Sequence, residues 1–439
     1  MGMTRRSYLH LCSASATALL AGCATGAKPL GGTGTAPPAA KEPGGELTWI
    51  ICDHNSQVQA WLEQTLLPSF RQQRPTVSVS MLYASWGNDF DTKRDTLYAA
   101  GNGPDIVQSG AVMVVNYALK GMTIPLDDRL KRWKDWSDYY PVTQQTMRFR
   151  DKQYGIPSRI DARAMIYRKD LFERQGLALP ETWNDMRQAA VALTRRDGDQ
   201  LAVAGYSPTP FGNQQLFPIV WQNGGEALTP DGRHPAFNSP EGVDALRFWA
   251  DLLNAIAPPD VKLAPVPSGL SGLAVGTVAA QLTGGGVLSG ALHGAPDVVP
   301  LLAVRPPLQQ KRRLVNVFNN WFGLGAQSKH PDLAWDLLMY FNAPEHLLEY
   351  DRLLGAPVPR RSLRDKGYMA DPALQMKAWI EVVEQYARPQ PLVPNYADCW
   401  AAIDSAMADV RAGKQSPKQA LDDAARQWQL LLDQGYGAA

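Results

Sequence analysis

The segment from Tyr154 to Asp170 places charged residues in the middle of an otherwise apolar strand pattern. Apolar residues lie toward both ends, and Arg159, Asp161 and Arg163 alternate between them. Charged side chains are seldom buried in a core without partners, so a plain core strand would not tolerate this run. The pattern therefore predicts that the chain crosses here between two lobes, with the charged middle in or near the crevice.

Length and composition are consistent with two folded lobes and give no sign of a polyanionic partner. The chain has 439 residues, more than one hydrophobic core usually supports, and 45% of them are hydrophobic. The 43 Lys and Arg residues almost balance the 42 Asp and Glu residues. Because a neutral chain lacks the basic face on which nucleic-acid binding depends, no nucleic-acid partner is expected.

The amino-terminal residues have the features of an export address. Residues 4–10 resemble a twin-arginine signal motif, and residues 20–23 resemble a bacterial lipobox. These motifs predict a signal peptide over residues 1–22 and lipid modification of Cys23, which would place the chain on the outer face of the cytoplasmic membrane or in the periplasm. Residues 23–45, rich in Gly, Ala, Thr and Pro, are predicted to form a disordered leash.

Strand and helix patterns alternate after the leash. Strand patterns cover Glu46–Cys52, Val77–Tyr83 and Asp105–Val107, and helical spacing runs from Val58 to Arg71. This alternation predicts an α/β fold in which each sheet is mostly parallel and flanked by helices. Ligands of such sheets bind beyond the carboxyl ends of the strands. The first candidates for ligand contact are therefore the residues in these loops: Asp53, Trp86 and Gln108.

Further candidates for ligand contact lie at the predicted crossing and in the second half of the chain. Aromatic faces stack on the C–H surfaces of sugars, and planar amide, carboxylate and guanidinium groups bond pairs of hydroxyls. The residues with these properties, or in the loops beside them, are Arg159, Asp161, Phe211, Trp221, Gly285, Asn319, Asn320, Trp321 and Arg360. The aromatic residues among them suit either core packing or stacking against sugar-like ligands.

Structural roles compete with ligand contact at several of these positions. Trp86 could fold back on the core, and Arg360 could form an interlobe ion pair or a surface charge. Asp161 could pair with Arg159 or with Arg163. If the arginines faced the crevice unpaired, an anionic ligand such as a polyol phosphate or a sugar acid would fit better than a neutral sugar.

Cysteine usage and motif content narrow the chemistry. Cys52 and Cys399 are the cysteines left after export and lipidation, and they could form a disulfide or remain two buried thiols. The sequence has no metal-ligand spacing, G-x-S-x-G elbow, zinc helix or Walker loop. It therefore predicts a binding protein without a metal or cofactor rather than an enzyme, with an exported glycan hydrolase as the remote alternative.

Seven short motifs are spread over the predicted mature fold. They are Gly103–Ile106, Gly121–Asp128, Ala164–Phe172, Asn223–Glu226, Phe237–Gly242, Ala326–Pro331 and Gly413–Pro417. In order and spacing they resemble the extracellular solute-binding proteins of family 1, mostly sugar-binding lipoproteins that serve ATP-binding-cassette importers. The resemblance implies a two-lobed periplasmic-binding-protein fold, in which a multi-stranded hinge lets the lobes close on a ligand.

The same resemblance implies lobe boundaries and partners. Residues 46–157 and 304–353 would form the first lobe and residues 158–303 and 354–439 the second, with a second crossing near Leu301–Pro307. The implied partners are a mono- or oligosaccharide, the permease subunits of an importer and the membrane that holds the lipid anchor, and the chain would act as a monomer. A ligand sensor for a membrane receptor would use the same module. Many sugar binders have a Trp where this chain has Val287, so one expected stacking surface is missing.

Overall fold

The structure, a computed structural model, describes residues 44–208 and 213–437. The predicted signal peptide, Cys23, nearly all of the predicted leash and Phe211 lie outside the described residues. The first strand begins at Gly45, so the folded part starts one residue earlier than predicted.

Strands and helices alternate through much of the chain. The strands are β1 (Gly45–Ile51), β2 (Val77–Tyr83), β3 (Ile106–Gly110), β4 (Arg148–Phe149), β5 (Lys152–Gln153), β6 (Ile156–Arg159), β7 (Ala164–Arg168), β8 (Arg195–Asp197), β9 (Gln200–Val203), β10 (Lys262–Leu263), β11 (Ala280–Thr283), β12 (Leu302–Arg305), β13 (Val315–Val317), β14 (Asn320–Leu324) and β15 (Ala387–Pro389). The helices are α1 (Ser56–Trp61), α2 (Leu67–Gln73), α3 (Asn88–Ala99), α4 (Val114–Leu119), α5 (Asp127–Leu130), α6 (Pro141–Gln145), α7 (Lys169–Arg174), α8 (Trp183–Leu193), α9 (Asn213–Gln222), α10 (Pro240–Ile256), α11 (Gly272–Val275), α12 (Gly286–Gly294), α13 (Pro331–Phe341), α14 (Pro344–Leu354), α15 (Met376–Gln385), α16 (Tyr396–Arg411) and α17 (Pro417–Gly437).

The first lobe is built on one sheet with the strand order β2-β1-β3-β14-β6. β1 pairs in parallel with β2 and β3, whereas β14 pairs antiparallel with β3 and with β6. β14 runs in the opposite direction because it enters the sheet at the edge facing the other lobe, where the other strands end. This edge borders the cleft between the lobes, and the mostly parallel sheet predicted for this lobe is observed.

The central sheet of the second lobe, with the order β11-β7-β12, departs from the predicted parallel pattern. Both neighbours pair antiparallel with β7. β7 starts at the cleft, directly after the chain has crossed, while β11 and β12 end there. The expectation of a mostly parallel sheet therefore does not hold for this sheet, although β9 and β10 pair in parallel.

Three adjacent chain segments connect the lobes. The first joins β6 to β7 through the charged run, and its Ala162 forms an antiparallel bridge with Val317, at the start of the segment that joins β13 to β14. The third segment lies beside the first, because the backbone N–H of Ile160 donates to the carbonyl oxygen of Pro357 at 3.1 Å. The hinge therefore consists of several strands held together by backbone hydrogen bonds.

The second crossing lies later in the chain than its predicted position near residue 304. Leu302–Arg305 forms β12 within the second-lobe sheet, where Val304 pairs with Ile166. The apolar character of this strand fits a buried position, and sequence alone did not tell which sheet it joins. The chain returns to the first lobe between Val317 and Asn320, which moves the expected lobe boundary to that point.

Each lobe has an apolar core of its own. In the first lobe Trp49 packs edge-on against Phe322 and Phe341, with ring centroids 5.1 and 5.4 Å apart. In the second lobe Trp428 packs in the same way against Phe217, at 5.6 Å. Because the cores are separate, each lobe can stay rigid while the hinge segments change conformation.

Both cysteines are free and buried, one in each lobe, so the alternative of two separate thiols is the one observed. Burial raises the pKa of the Cys52 thiol well above its usual value and that of Cys399 to about 12, so both thiols stay protonated at neutral pH. In the part of the chain that the structure describes, every helix is too short or too polar to cross a bilayer.

Arg360, predicted to contact ligand, instead ties the third connecting segment to the first lobe. It is 4% exposed, and it donates to Asp138, Asp135 and the carbonyl oxygen of Asn342, each at 2.9 Å. The backbone of Arg360 also forms an isolated antiparallel β-bridge with that of Tyr139. Its charge is thus satisfied by the protein, and Arg360 leaves the candidate ligand set.

Replacement of Arg360 by Gln should lower the free energy of unfolding by about 2 kcal/mol. The carboxylate of Asp138 and the carbonyl oxygen of Asn342 would lose their charged donor, whereas the more exposed Asp135 can still bond to water. Urea unfolding measures this loss. The control is Arg352→Gln, which breaks an exposed pair with Glu349 and should cost less than about 1 kcal/mol. Equal losses in the two variants would contradict the structural role assigned to Arg360.

Candidate functional site

The carboxylate of Asp53 collects hydrogen bonds from three of the predicted site residues. Asp53 lies two residues beyond β1 and is 5% exposed. Its oxygens accept from Trp86 Nε1 at 2.9 Å, from Arg159 Nε at 2.6 Å and from Asn320 Nδ2. Strand pairing explains the meeting, since Gly110, Asn320 and Arg159 lie in one row at the cleft edge of the first-lobe sheet.

Gln108 holds the backbone around Asp53 and is not itself open to the cleft. Its Oε1 accepts from the backbone N–H groups of Cys52 and Asp53, at 2.9 and 2.7 Å. Its Nε2 donates to the Tyr350 hydroxyl at 3.0 Å, and this hydroxyl donates to the Asp53 carbonyl oxygen at 3.0 Å. Because Gln108 has no exposed surface, it supports the site and is removed from the candidate ligand set.

Trp86 presents a largely open indole at the cleft edge. The residue is 47% exposed, and no other tryptophan in the described ranges is exposed to this degree. Its ring lies over Gly110, where an added Cβ would come within 3.7 Å of the indole, and its N–H is held by Asp53. A ring fixed at one edge and open on its surface is suited to stacking.

A cavity of about 300 Å³ lies beside this network and extends to the second lobe. The charged run of the first crossing lines one side with Arg159, Asp161 and Arg163. The residues opposite come from the loop before α11, from the end of β11 with the residue after it, and from α12: Gly269, Leu270, Ser271, Thr283, Gly284, Gly286, Val287 and Gly290. Residues of both lobes therefore meet at this cavity, and its volume lies at the low end of the range usual for ligand sites.

Each arginine that lines the cavity is paired with a carboxylate. Arg159 pairs with Asp53 at 2.6 Å, and Arg163 Nη1 pairs with Asp161 at 2.5 Å. Arg163 also donates to Gln214 Oε1 at 2.5 and 3.1 Å. Asp161 therefore pairs with Arg163 and not with Arg159. The charges of the two arginines and the two aspartates sum to zero.

Two of the predicted stacking residues, Trp221 and Trp321, lie in the cores. Trp221 is 1% exposed, with Phe217 stacked at 6.1 Å and the Arg388 guanidinium 4.6 Å from its ring. Trp321 has no exposed surface and donates from Nε1 to the Gly110 carbonyl oxygen at 2.8 Å. A ring without an exposed face cannot stack on a ligand, so both residues leave the candidate set.

Asn319 and Gly285 also differ from expectation. Asn319 is fully buried with a φ of 38°, and its Nδ2 donates to Thr146 Oγ1 at 3.2 Å, so it shapes the second crossing. Gly285 faces the third connecting segment, since an added Cβ would lie 3.9 Å from Pro357 Cδ. Its neighbours Gly284 and Gly286 line the cavity instead. Asn320, 4% exposed, supports Asp53.

Residues outside the predicted set also belong to the site. Arg163 belongs to the charged run but not to the predicted ligand contacts, and it lines the cavity. Thr283 ends strand β11, and Ser271 lies in a loop of small residues before α11. Neither position carries a distinctive sequence signal. Tyr350, on α14, could not be found from sequence because it reaches Asp53 across about 300 residues of chain.

Asp351, next to Tyr350, is a buried carboxyl group without a hydrogen-bond partner for either oxygen among the described residues. Burial raises the pKa of Asp351 well above its usual range; the Arg159 charge opposes this rise and the Asp53 charge adds to it. Burial therefore favours the neutral form of Asp351, which adds no charge beside Arg159 and Asp53.

Comparison with known proteins identifies related sequences and folds. The family model described as bacterial extracellular solute-binding protein matches residues 53–346. The galactooligosaccharide-binding protein of Bacillus subtilis is 22% identical over 338 residues, which cover 74% of this chain and 76% of that protein. The family model thus covers Asp53 and the side chains that donate to its carboxylate, the first crossing and the cavity loops.

Solved structures show the same two-lobed fold. An ABC transporter solute-binding protein from Thermotoga lettingae, bound with α-D-tagatose, superposes with a TM-score of 0.75 at 23% identity and covers 88% of this chain and 99% of its own. The sugar-binding protein MalE from Xanthomonas citri superposes with a TM-score of 0.76 at 23% identity, covering 90% and 98%. These likenesses confirm the predicted fold class.

Replacement of Asp351 by Asn should make stability less sensitive to rising pH. The raised pKa keeps the folded carboxyl protonated, whereas the unfolded chain releases this proton above about pH 4. The wild-type stability from this group is therefore full below about pH 4 and falls as pH rises toward the folded pKa, by up to about 1.4 kcal/mol per pH unit.

Urea unfolding at about pH 5 and about pH 8 measures the difference in the free energy of unfolding between the Asn variant and wild type. The Asn variant should be more stable relative to wild type at the higher pH. Asp128→Asn is the matched control for the loss of one carboxyl group, because the Asp128 side chain is 92% exposed. A free-energy difference for Asp351→Asn that is the same at both pH values would contradict the raised pKa of this carboxyl group.

Proposed function

Because the chain belongs to the bacterial extracellular solute-binding protein family, we propose that it captures a neutral carbohydrate by closure of its two lobes and delivers it to an ATP-binding-cassette permease. The observation that carries the proposal is the half-exposed indole of Trp86, which is held by Asp53, whose ion-pair partner Arg159 lines the cavity between the lobes. A fixed aromatic face beside planar polar groups matches the alternating C–H and hydroxyl surfaces of a sugar ring.

The guanidinium of Arg159 supplies the main polar contact in this proposal. Asp53 holds it through Nε, and its two terminal nitrogens have no hydrogen-bond partner among the described residues. These nitrogens form a planar fork that can donate to two adjacent hydroxyl oxygens. Asp161 and Thr283, on the same cavity, can accept hydroxyl hydrogens in return. Removal of water on closure strengthens all of these bonds.

The pairing of charges favours a neutral ligand over an anionic one. An anion would be stabilised by an arginine with unused charge, but Asp53 and Asp161 already neutralise Arg159 and Arg163. A phosphate or carboxylate would then lie close to two carboxylates, and like charges in a site of low dielectric repel strongly. A neutral solute avoids this repulsion and still uses the remaining hydrogen-bonding capacity.

The cellular setting follows from the proposed role. The chain would be exported and act outside the cytoplasm, lipid-anchored through Cys23, as a monomer that binds ligand without turning it over. Open and closed arrangements of the lobes would exchange across the hinge, with ligand favouring the closed one. Permease subunits would then recognise the closed form; a membrane receptor that senses the ligand is the other partner consistent with such a change.

A thermal-shift screen tests the proposal directly. Purified protein should melt at a higher temperature with at least one neutral mono- or oligosaccharide, because a ligand that binds only the folded state stabilises it by mass action. Polyol phosphates and sugar acids of similar size should have little effect. A screen in which every neutral sugar fails while a phosphate ester raises the melting temperature would overturn the choice of a neutral ligand.

Replacement of Trp86 by Ala should weaken binding of the sugar found in that screen by about five- to thirtyfold, since loss of the stacking face removes about 1–2 kcal/mol. Trp86→Phe keeps a ring but loses the bond to Asp53, so calorimetry should give it a smaller loss. Leu430→Ala, at a side chain 63% exposed on α17, is the control and should leave affinity unchanged. Unchanged affinity in Trp86→Ala would exclude Trp86 from the ligand site.

A further inference from the structure

A second cavity, of about 280 Å³, adjoins the proposed sugar cavity within the second lobe. Leu270 and Ser271 line both cavities, so the two spaces share a wall. The rest of its lining comes from the end of β9 and the residues after it, from β10 and the loop that follows, and from the residues between α11 and β11. The second space is therefore a direct neighbour of the first.

Strand β11 fixes how the two cavities are arranged. Thr283 lines the first cavity and Gln281 lines the second. Residues two apart on a strand point to the same face and are separated by about 7 Å. A single ligand of modest length can therefore lie along this face of β11 with one end in each cavity.

The lining of the second cavity differs in chemistry from the first. Its apolar side chains are aliphatic, chiefly Leu201, Val278, Leu263 and Val266, and among the described residues that line it none is charged or aromatic. Leu263 and Val266 are 48% and 40% exposed, two of the few large apolar side chains so exposed in the described part of the chain. Exposed apolar surface that borders a cavity favours a ligand that covers it.

We propose that the carbohydrate bound by this protein carries a short aliphatic substituent, such as an alkyl or acyl group, and that this substituent occupies the second cavity. The inference rests on the proposed function for the sugar end of the ligand. A second sugar ring fits less well there, because ring stacking relies on aromatic faces, which are absent from the described residues of this lining. Burial of methylene groups against aliphatic side chains needs neither.

A series of straight-chain alcohols from ethanol to hexanol tests the second cavity without knowledge of the sugar. Ligand-observed NMR with the full folded chain should show binding that strengthens by about two- to fourfold for each added methylene group. The chain-length dependence should disappear in Leu263→Gln and in Val266→Gln. The matched control, Leu430→Gln, changes a leucine on α17 that is 63% exposed, and it should bind the alcohols as wild type does.

A second arm links the cavity to the ligand. The neutral sugar identified by the thermal-shift screen is compared with its hexyl glycoside, and the glycoside should bind at least tenfold more tightly to wild type but not to Leu263→Gln. Alcohol binding without chain-length dependence, or binding unaffected by both cavity variants, would overturn the inference. So would a disaccharide that gains affinity over its monosaccharide and loses that gain in Leu263→Gln, since this would assign the cavity to a second ring.

The two proposals fail separately. If no sugar raises the melting temperature, the proposed function fails, while the alcohol series still reports on the second cavity. If a sugar binds but neither alcohols nor the glycoside gain from chain length, the proposed function stands and the aliphatic substituent is excluded.

Discussion

The buried ion pair between Asp53 and Arg159 is the interaction on which the cleft depends. A carboxylate that is 5% exposed is strongly unfavourable unless its oxygens are bonded, and here donors from three separate chain segments converge on it. Removal of one donor would leave a charge buried with too few partners. The pair thereby fixes the end of β1, the end of β6 and the start of β14 in a single geometry, and it holds the indole of Trp86 beside them.

Strand direction in both lobes follows from the position of this cleft. Strands that end at the cleft deliver their loops to it, as β1, β3 and β11 do with the residues that follow them. A strand that has just crossed from the other lobe must begin at the cleft, so β7 and β14 run against their neighbours. The same geometry that produces one antiparallel strand in each central sheet also brings Arg159, Arg163 and Asn320 to the site, because they flank these crossings.

Sequence reasoning located the site where local pattern and position agree. Asp53 and Trp86 follow strands with clear alternation, and the charged run around Arg159 interrupts an apolar pattern, so all three could be found without coordinates. Trp321 and Asn319 could not be judged in the same way, because a strand residue can face the cleft or the core and sequence does not tell which. Arg360 and β12 required knowledge of partners far along the chain, Asp138 and Ile166, which local pattern does not contain.

The two cavities together set how a ligand would be oriented. In the first, every arginine already has a carboxylate, so a ligand that binds need not neutralise a buried charge and its departure leaves none exposed. This arrangement suits a protein that must release what it captures, since affinity then comes from hydrogen bonds and stacking that form only when the lobes close. The second cavity offers mainly aliphatic contact beside a few neutral polar groups, and aliphatic contact is non-directional. Polar groups therefore decide which end of the ligand lies at Trp86 and Arg159, and the aliphatic lining adds affinity without disturbing that choice.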